Sequence, residues 1–535
     1  MNRQSYDVII VGAGTAGLAC AITAAGLGLR TVVVEKSRFV GTGTSVSAGL
    51  IWIGANHLSS RAGEVDTTAE VVHYLQYVGA MGIDQARMQA FVREAPRALR
   101  FFEAAGIPFH VTGYSDQYYG VAPGAKARGR VIETNPIAAE EMGDCDIDVA
   151  RPSSELYRLG SAWTINRDNA DVEPTDGRAL KGRASNRTDI RAAGPGLMSW
   201  LLKIANQRGV AICTDDRVDR LEIDAGRVSG VRVSSGSAIE ARCGVVIASG
   251  GYESNPRLTW DLEGLPGWRS MFPPAISGDG LVIACEVGAA MKVVPNSLSI
   301  FLGFRPPSDI CGEDEPCHLA GIKELLLPHT IVVNRDGNRF ADETFFQAMV
   351  PALRTFDVRA RTMRNLPCFL IFDQQFATSC SFWKSPAGHP VPKWVPRARS
   401  LKGLAAQLGI DSASLQTTIR CFNNHARFGR DPQFGRGESS WGVGYLGGAA
   451  TLGTIERPPF YGVELCPTGL SSAGLSCNAS AQVLDLRGRL IPGLFAIGNA
   501  AARTETGSGY QAGFSLGSAL TFGFIAGRQL NRTMG

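Results

Sequence analysis

The sequence predicts an α/β protein in which a parallel-sheet domain, built from both ends of the chain, is interrupted by an inserted α+β cap. Three observations carry this. Strand, glycine turn, helix and strand follow one another at the start. A second buried strand runs into glycines at residues 244–252, and a third does so at 493–499, ahead of a closing helix. Unbroken apolar runs of this length mark strands covered on both faces, as in a parallel sheet.

Residues 8–11 are apolar throughout, and Gly12-Ala13-Gly14-Thr15-Ala16-Gly17 then opens a helix pattern over 18–25. A second apolar strand, 31–34, ends in Glu35 and Lys36. The first glycine makes the tight turn, the second lets backbone approach a pyrophosphate, and the third lets the helix pack on the sheet. Orphan amides at the helix start favour phosphate, and an acid about twenty residues on accepts from ribose hydroxyls. Residues 6–36 therefore read as a Rossmann-type dinucleotide site.

The small-residue loop 41–49 contains Thr42, Gly43, Thr44 and Ser45, and lets backbone lie against a flat ring. It holds no His or Cys for a covalent link to such a ring. Helix patterns follow at 67–78 and 84–104, then a tyrosine-dense loop at 113–120. Residues 140–187 are polar and without period, as in a long surface excursion. A helix pattern at 196–205 precedes strands at 210–214, 218–223 (from Val218) and 228–233. The strand from 244 ends in Ala248, Ser249 and Gly250, and backbone at such an end can approach a cofactor.

From residue 279 to 445 the segments are longer and mixed, and this range is read as the cap; residues 1–278 and 446–535 form the first domain. Within the cap, 334–343 forms a hairpin-like turn followed by charges. The Gly442–Gly447 repeat of the glycine spacing lacks a preceding strand and is a decoy. The tail returns to the sheet with a strand ending in Gly498 and Asn499. Residues 506–517, which include Ser515 and Leu516, lead into a helix over 518–530.

The 535 residues suit two domains, and 53 Lys+Arg against 49 Asp+Glu gives +4, too balanced for a nucleic-acid surface. No apolar run is long enough to span a bilayer, and the strand-like start, with Asp7 inside it, is not a signal peptide. The 12 cysteines lie mostly in apolar segments, as free thiols do in a reducing compartment. A cytoplasmic chain, free or peripheral to a membrane, is expected. Cys311, Cys317 and His318 lack metal spacing, so no metal is expected.

Together the glycine start, 245–252, 334–343, 434–437 and 493–527 resemble the flavoprotein family of fumarate reductases, succinate dehydrogenases and 3-ketosteroid dehydrogenases. The resemblance implies FAD, held without a covalent bond. It implies cofactor contacts at Gly12, Gly14, Ala16, Gly17, Glu35, Lys36, Thr42–Ser45, Val218, Ala248, Ser249, Gly250, Gly498, Asn499, Ser515 and Leu516. A dicarboxylate site needs paired cations. The fumarate branch places Arg where this chain has Tyr510 and in the stretch Phe345-Phe346-Gln347-Ala348, and a His near 467–474 that is absent here.

The ketosteroid dehydrogenase branch is the better match, through Tyr510 to Gly513, the Tyr118-Tyr119 pair and Phe434 to Gly437. It implies a double bond introduced beside the carbonyl of a cyclic ketone, steroid or smaller, with an external electron acceptor. Tyr510 and Gly513 would meet the carbonyl oxygen, and Tyr119, relayed through Tyr118, would take the proton. Gln347 stands near the place of a cap tyrosine and is assigned no role. The alternatives are an ene-reductase running the reaction backwards and a flavin-binding protein without activity.

Overall fold

The computed structural model describes residues 4–143, 147–150, 190–312, 316–321 and 323–532. The expected excursion lies outside the described residues from 151 to 187. β1 (Gln4–Val11), α1 (Thr15–Gly26) and β2 (Thr31–Val34) form the expected unit, with β1 and β2 parallel from Val8 opposite Thr31 to Val11 opposite Val34. Val8 and Ile10 enter one core with α1, while Ile9 and Val11 enter another with the strands of 218–233. Both faces of β1 are thus covered, which is why its sequence is apolar without alternation.

The strand Ala238–Ile247 is the spine of the larger sheet. It lies parallel to β1, its first half takes the hairpin strand Arg227–Val233 antiparallel, and its last rungs take Leu490–Ala496 parallel. The glycine-bearing ends of three strands therefore sit side by side, along the edge where open α/β sheets bind ligands. The closing helix Phe514–Arg532 packs on α1. A Cβ at Gly523 would stand 2.8 Å from the Ala19 Cβ, so the small residue sets the approach. This helix begins at Phe514 rather than at 518, directly after Gly513 turns the chain at φ +89°.

The cap carries an antiparallel sheet in the order His318–Leu319, Ile300–Phe304, Phe460–Gly469, Cys368–Asp373, Thr330–Asn334. Both read boundaries move. Phe460–Gly469 lies inside the cap sheet, beyond 445, and helix Asp279–Glu286 buries Leu281, Ile283 and Ala284 in the first domain's core, beyond 278. A single strand or short helix carries no local mark of which core it joins. After the turn at Gly337 (φ +75°), Arg339 is buried between Glu343 (2.6 Å) and Asp431 (2.8 Å). Arg436 completes the knot, 3.4 Å from Glu343 and donating to the Thr330 carbonyl at 2.6 Å. The charged motifs at 334–343 and 434–437 thus meet inside the cap.

Candidate active site

A single continuous cavity runs from the glycine turn to the junction with the cap. Gly12 sits at φ +105°, where a Cβ would stand 2.7 Å from the Ala248 carbonyl oxygen, so the ends of β1 and Ala238–Ile247 touch only through glycine. A Cβ on Gly17 would stand 2.0 Å from the Gly12 oxygen, so Gly17 packs helix on strand and does not line the cavity. Gly14 has nothing nearer than Thr44 Oγ1 at 3.9 Å, and supplies no side-chain cap to α1. The Thr15 amide donates to Thr44 Oγ1 (3.3 Å), and the next first-turn amides, of Ala16 and Gly17, are then left for a ligand.

Glu35 lines the cavity, accepting the Ala13 amide on Oε2 (2.8 Å) and the Ser37 amide on Oε1 (2.9 Å). Burial pushes its carboxyl upward, against the pull of those amides and of Lys36. Lys36 donates to Ser277 (2.6 Å) and Asp279 (2.8 Å) at the same end. Thr42, Gly43, Thr44, Val218, Ala248, Ser249, Gly250, Gly498, Asn499, Ser515 and Leu516 line the same cavity. Ser45 does not: it is fully buried behind the loop. The Ser249 hydroxyl is buried without a partner. An uncapped helix start, a glycine cradle, a ribose-type acceptor and an orphaned hydroxyl along one channel fit FAD. No His or Cys stands among the described lining residues. Glu35→Ala is expected to weaken FAD binding roughly ten- to hundredfold, the worth of a hydrogen bond to a charged group, measured by flavin fluorescence titration of the apoprotein.

The far end is an aromatic box. Tyr118 packs against Phe346 (5.1 Å), Trp441 (5.0 Å) and, nearly parallel, Tyr510 (6.3 Å); Phe301 lies edge-on to Tyr510 at 5.6 Å. Trp441 comes from helix Ser440–Leu446, so the helix that overlaps the decoy motif contributes a wall through the residue just before it. The Tyr510 hydroxyl has no protein partner among the described residues, and neither has the Gly513 amide. Burial raises the Tyr510 phenol, only partly offset by the Arg503 cation, so it stays protonated and can donate.

Tyr118 and Tyr119 part company. Tyr118 lines the cavity and is 7% exposed, whereas Tyr119 stands behind it, outside the lining, donating its hydroxyl to Gln347 Oε1. Burial raises its phenol well above the ordinary range, so the expected base lies off the cavity and is hard to ionise. The loop is held from two sides that the sequence did not reveal. Asp116 accepts from Trp52 (2.8 Å) and the buried Arg130 (2.8 Å). Gln511 donates to the Ser115 carbonyl (2.8 Å) and to Gln117 (2.7 Å). The only hint of Gln511 is its place inside the Tyr510–Gly513 motif.

Among the described lining residues the cations are Lys36 and Arg217, both near Asp279; Arg503 is instead bonded to Ser299 (2.9 Å) and Ser515 (3.2 Å). Among the described residues no arginine pair converges over the box.

Fold and site together define a nucleotide-binding oxidoreductase of the flavoprotein type. The chain belongs to the FAD binding domain family, whose model matches residues 7–519. It is 31% identical to 4-oxocyclohexanecarboxylate 2-dehydrogenase of Sinomonas cyclohexanicum, over 99% of this chain and 93% of that one. It is 29% identical to 3-oxosteroid 1-dehydrogenase of Mycolicibacterium smegmatis, over 100% and 98%. A solved structure of 3-ketosteroid Δ1-dehydrogenase from Sterolibacterium denitrificans, in complex with 1,4-androstadiene-3,17-dione, matches with TM-score 0.83. Its identity is 28%, covering 99% of this chain and 100% of that one. The chain is an FAD-dependent oxidoreductase acting on CH–CH groups. Among the described residues no helix is long and apolar enough to cross a membrane.

Proposed function

We propose that this protein introduces a double bond beside the carbonyl of a cyclic ketone. One observation carries the reading: two donors without a partner among the described residues, the Tyr510 hydroxyl and the Gly513 amide, line the aromatic end of the cavity. Loss of a proton from the carbon next to a carbonyl builds negative charge on its oxygen, and pre-set donors stabilise that charge as it forms. Tyr118, the member of the tyrosine pair that lines the cavity, is assigned the proton, which it takes in its phenolate form; Tyr119 is not. The walls of Phe301, Trp441, Met271 and Leu319 bury a ring and exclude water. FAD, when bound, supplies the hydride acceptor, and an external acceptor takes the electron pair in each turnover.

Anaerobic mixing of the FAD-loaded protein with 4-androstene-3,17-dione and with 4-oxocyclohexanecarboxylate tests this. Bleaching of the visible flavin band by at least one ketone is expected. No bleaching by either, with reoxidation of the dithionite-reduced protein by an enone, would reverse the assigned direction.

A further inference from the structure

Gln347 is 2% exposed and sits at the start of the cap helix Phe346–Leu353. Its Nε2 donates to the Tyr510 backbone carbonyl at 2.7 Å, and its Oε1 accepts the Tyr119 hydroxyl. The orientation is forced: a carbonyl only accepts, so the amide must turn its NH2 to Tyr510, and its oxygen then requires a donor from Tyr119. One side chain therefore joins three segments, the tyrosine loop, the cap helix and the turn before the closing helix.

We infer that Gln347 is a positioning residue that sets the Tyr510 hydroxyl against the substrate carbonyl, with Tyr119 as the anchor of the strut. The assignment rests on the reading of Tyr510 as carbonyl donor. Tyr510 is fixed at its backbone by Gln347 and at its ring by Phe301, Phe346 and Tyr118. The neighbouring Gln511 is pinned to the loop that carries Tyr118 and Tyr119. With the amide gone, the carbonyl and the phenol both lose a buried partner, and a misplacement of about 1 Å in such a site costs on the order of a hundredfold in rate. The loss should fall on kcat, because the contact strengthens only as charge develops.

The test compares full-length, FAD-loaded Gln347→Leu, Gln347→Glu and Tyr510→Phe, using whichever of the two ketones above bleaches the flavin. Gln347→Leu is expected to keep its FAD and its KM within about threefold while kcat drops roughly thirty- to hundredfold. Gln347→Glu is the sharper variant, since it keeps the shape. Protonated, its carboxyl donates to the Tyr510 carbonyl as the amide did; ionised, it sets two acceptors face to face. Its kcat should approach the parent value at low pH and fall as pH rises through the new carboxyl's titration, a limb the parent lacks. A Gln347→Glu profile parallel to the parent overturns the strut, whatever Gln347→Leu does. Tyr510→Phe at the parent rate overturns the underlying reading instead, so the two failures are distinguishable.

Discussion

Tyr510→Phe is expected to bind FAD normally and to lose turnover on the order of a hundred- to a thousandfold, the cost of removing one donor from a developing oxyanion. The ring stays, so its packing with Phe301, Phe346 and Tyr118 is kept and only the hydroxyl leaves. Burial holds that phenol protonated, which suits a donor and disqualifies it as a base at neutral pH. The effect should appear equally in kcat and kcat/KM under single-turnover mixing, with the visible spectrum of the resting flavin unchanged. A variant within threefold of the parent would take Tyr510 out of the chemistry and leave Gly513 as the sole assigned contact to the oxygen.

Arg339→Met is expected to cost about 3–5 kcal/mol of cap stability, because two buried carboxylates would share one remaining guanidinium. Glu343 and Asp431 both lean on Arg339, and its side chain also stacks over Phe422 (4.9 Å) and Phe434 (5.1 Å). The Arg436 guanidinium alone cannot neutralise the pair: it meets Glu343 at 3.4 Å and otherwise donates mainly to backbone carbonyls, those of Thr330, Leu327 and Thr451 among them. The loss is read as a lowered denaturant midpoint followed by tryptophan fluorescence. A change below about 1 kcal/mol would place this knot with weak surface pairs despite its burial.

Much of the first domain is legible in the sequence because its constraints are local. The glycine turn and the capped helix Gln85–Ala104 each depend on residues within a few positions of one another, and the acid after β2 stands at a fixed spacing from that turn. The parallel sheet follows from apolar runs that admit no solvent face. The box is legible only in part. Tyr510 and Gly513 stand in a motif, but which of two adjacent tyrosines turns inward depends on Asp116 and on Gln511, nearly four hundred residues along the chain. Gln347 reads as an ordinary helix-start residue, since both of its partners come from other segments. The domain boundaries fail for a related reason. Phe460–Gly469 is as good a strand for one sheet as for the other, and only its register against Ile300–Phe304 and Cys368–Asp373 decides.

The spine strand Ala238–Ile247 has a consequence for biosynthesis. Its rungs from Val245 to Ile247 meet β1 on one side and Leu494 to Ala496 on the other, so for that second side nearly half the polypeptide must leave the ribosome between the two partners. At ~5–20 residues per second that interval is on the order of ten seconds or more, during which an apolar edge stands bare beside the nascent nucleotide cradle. Chaperone occupancy of the growing chain should therefore peak after residue 247 has emerged and fall once 496 is out.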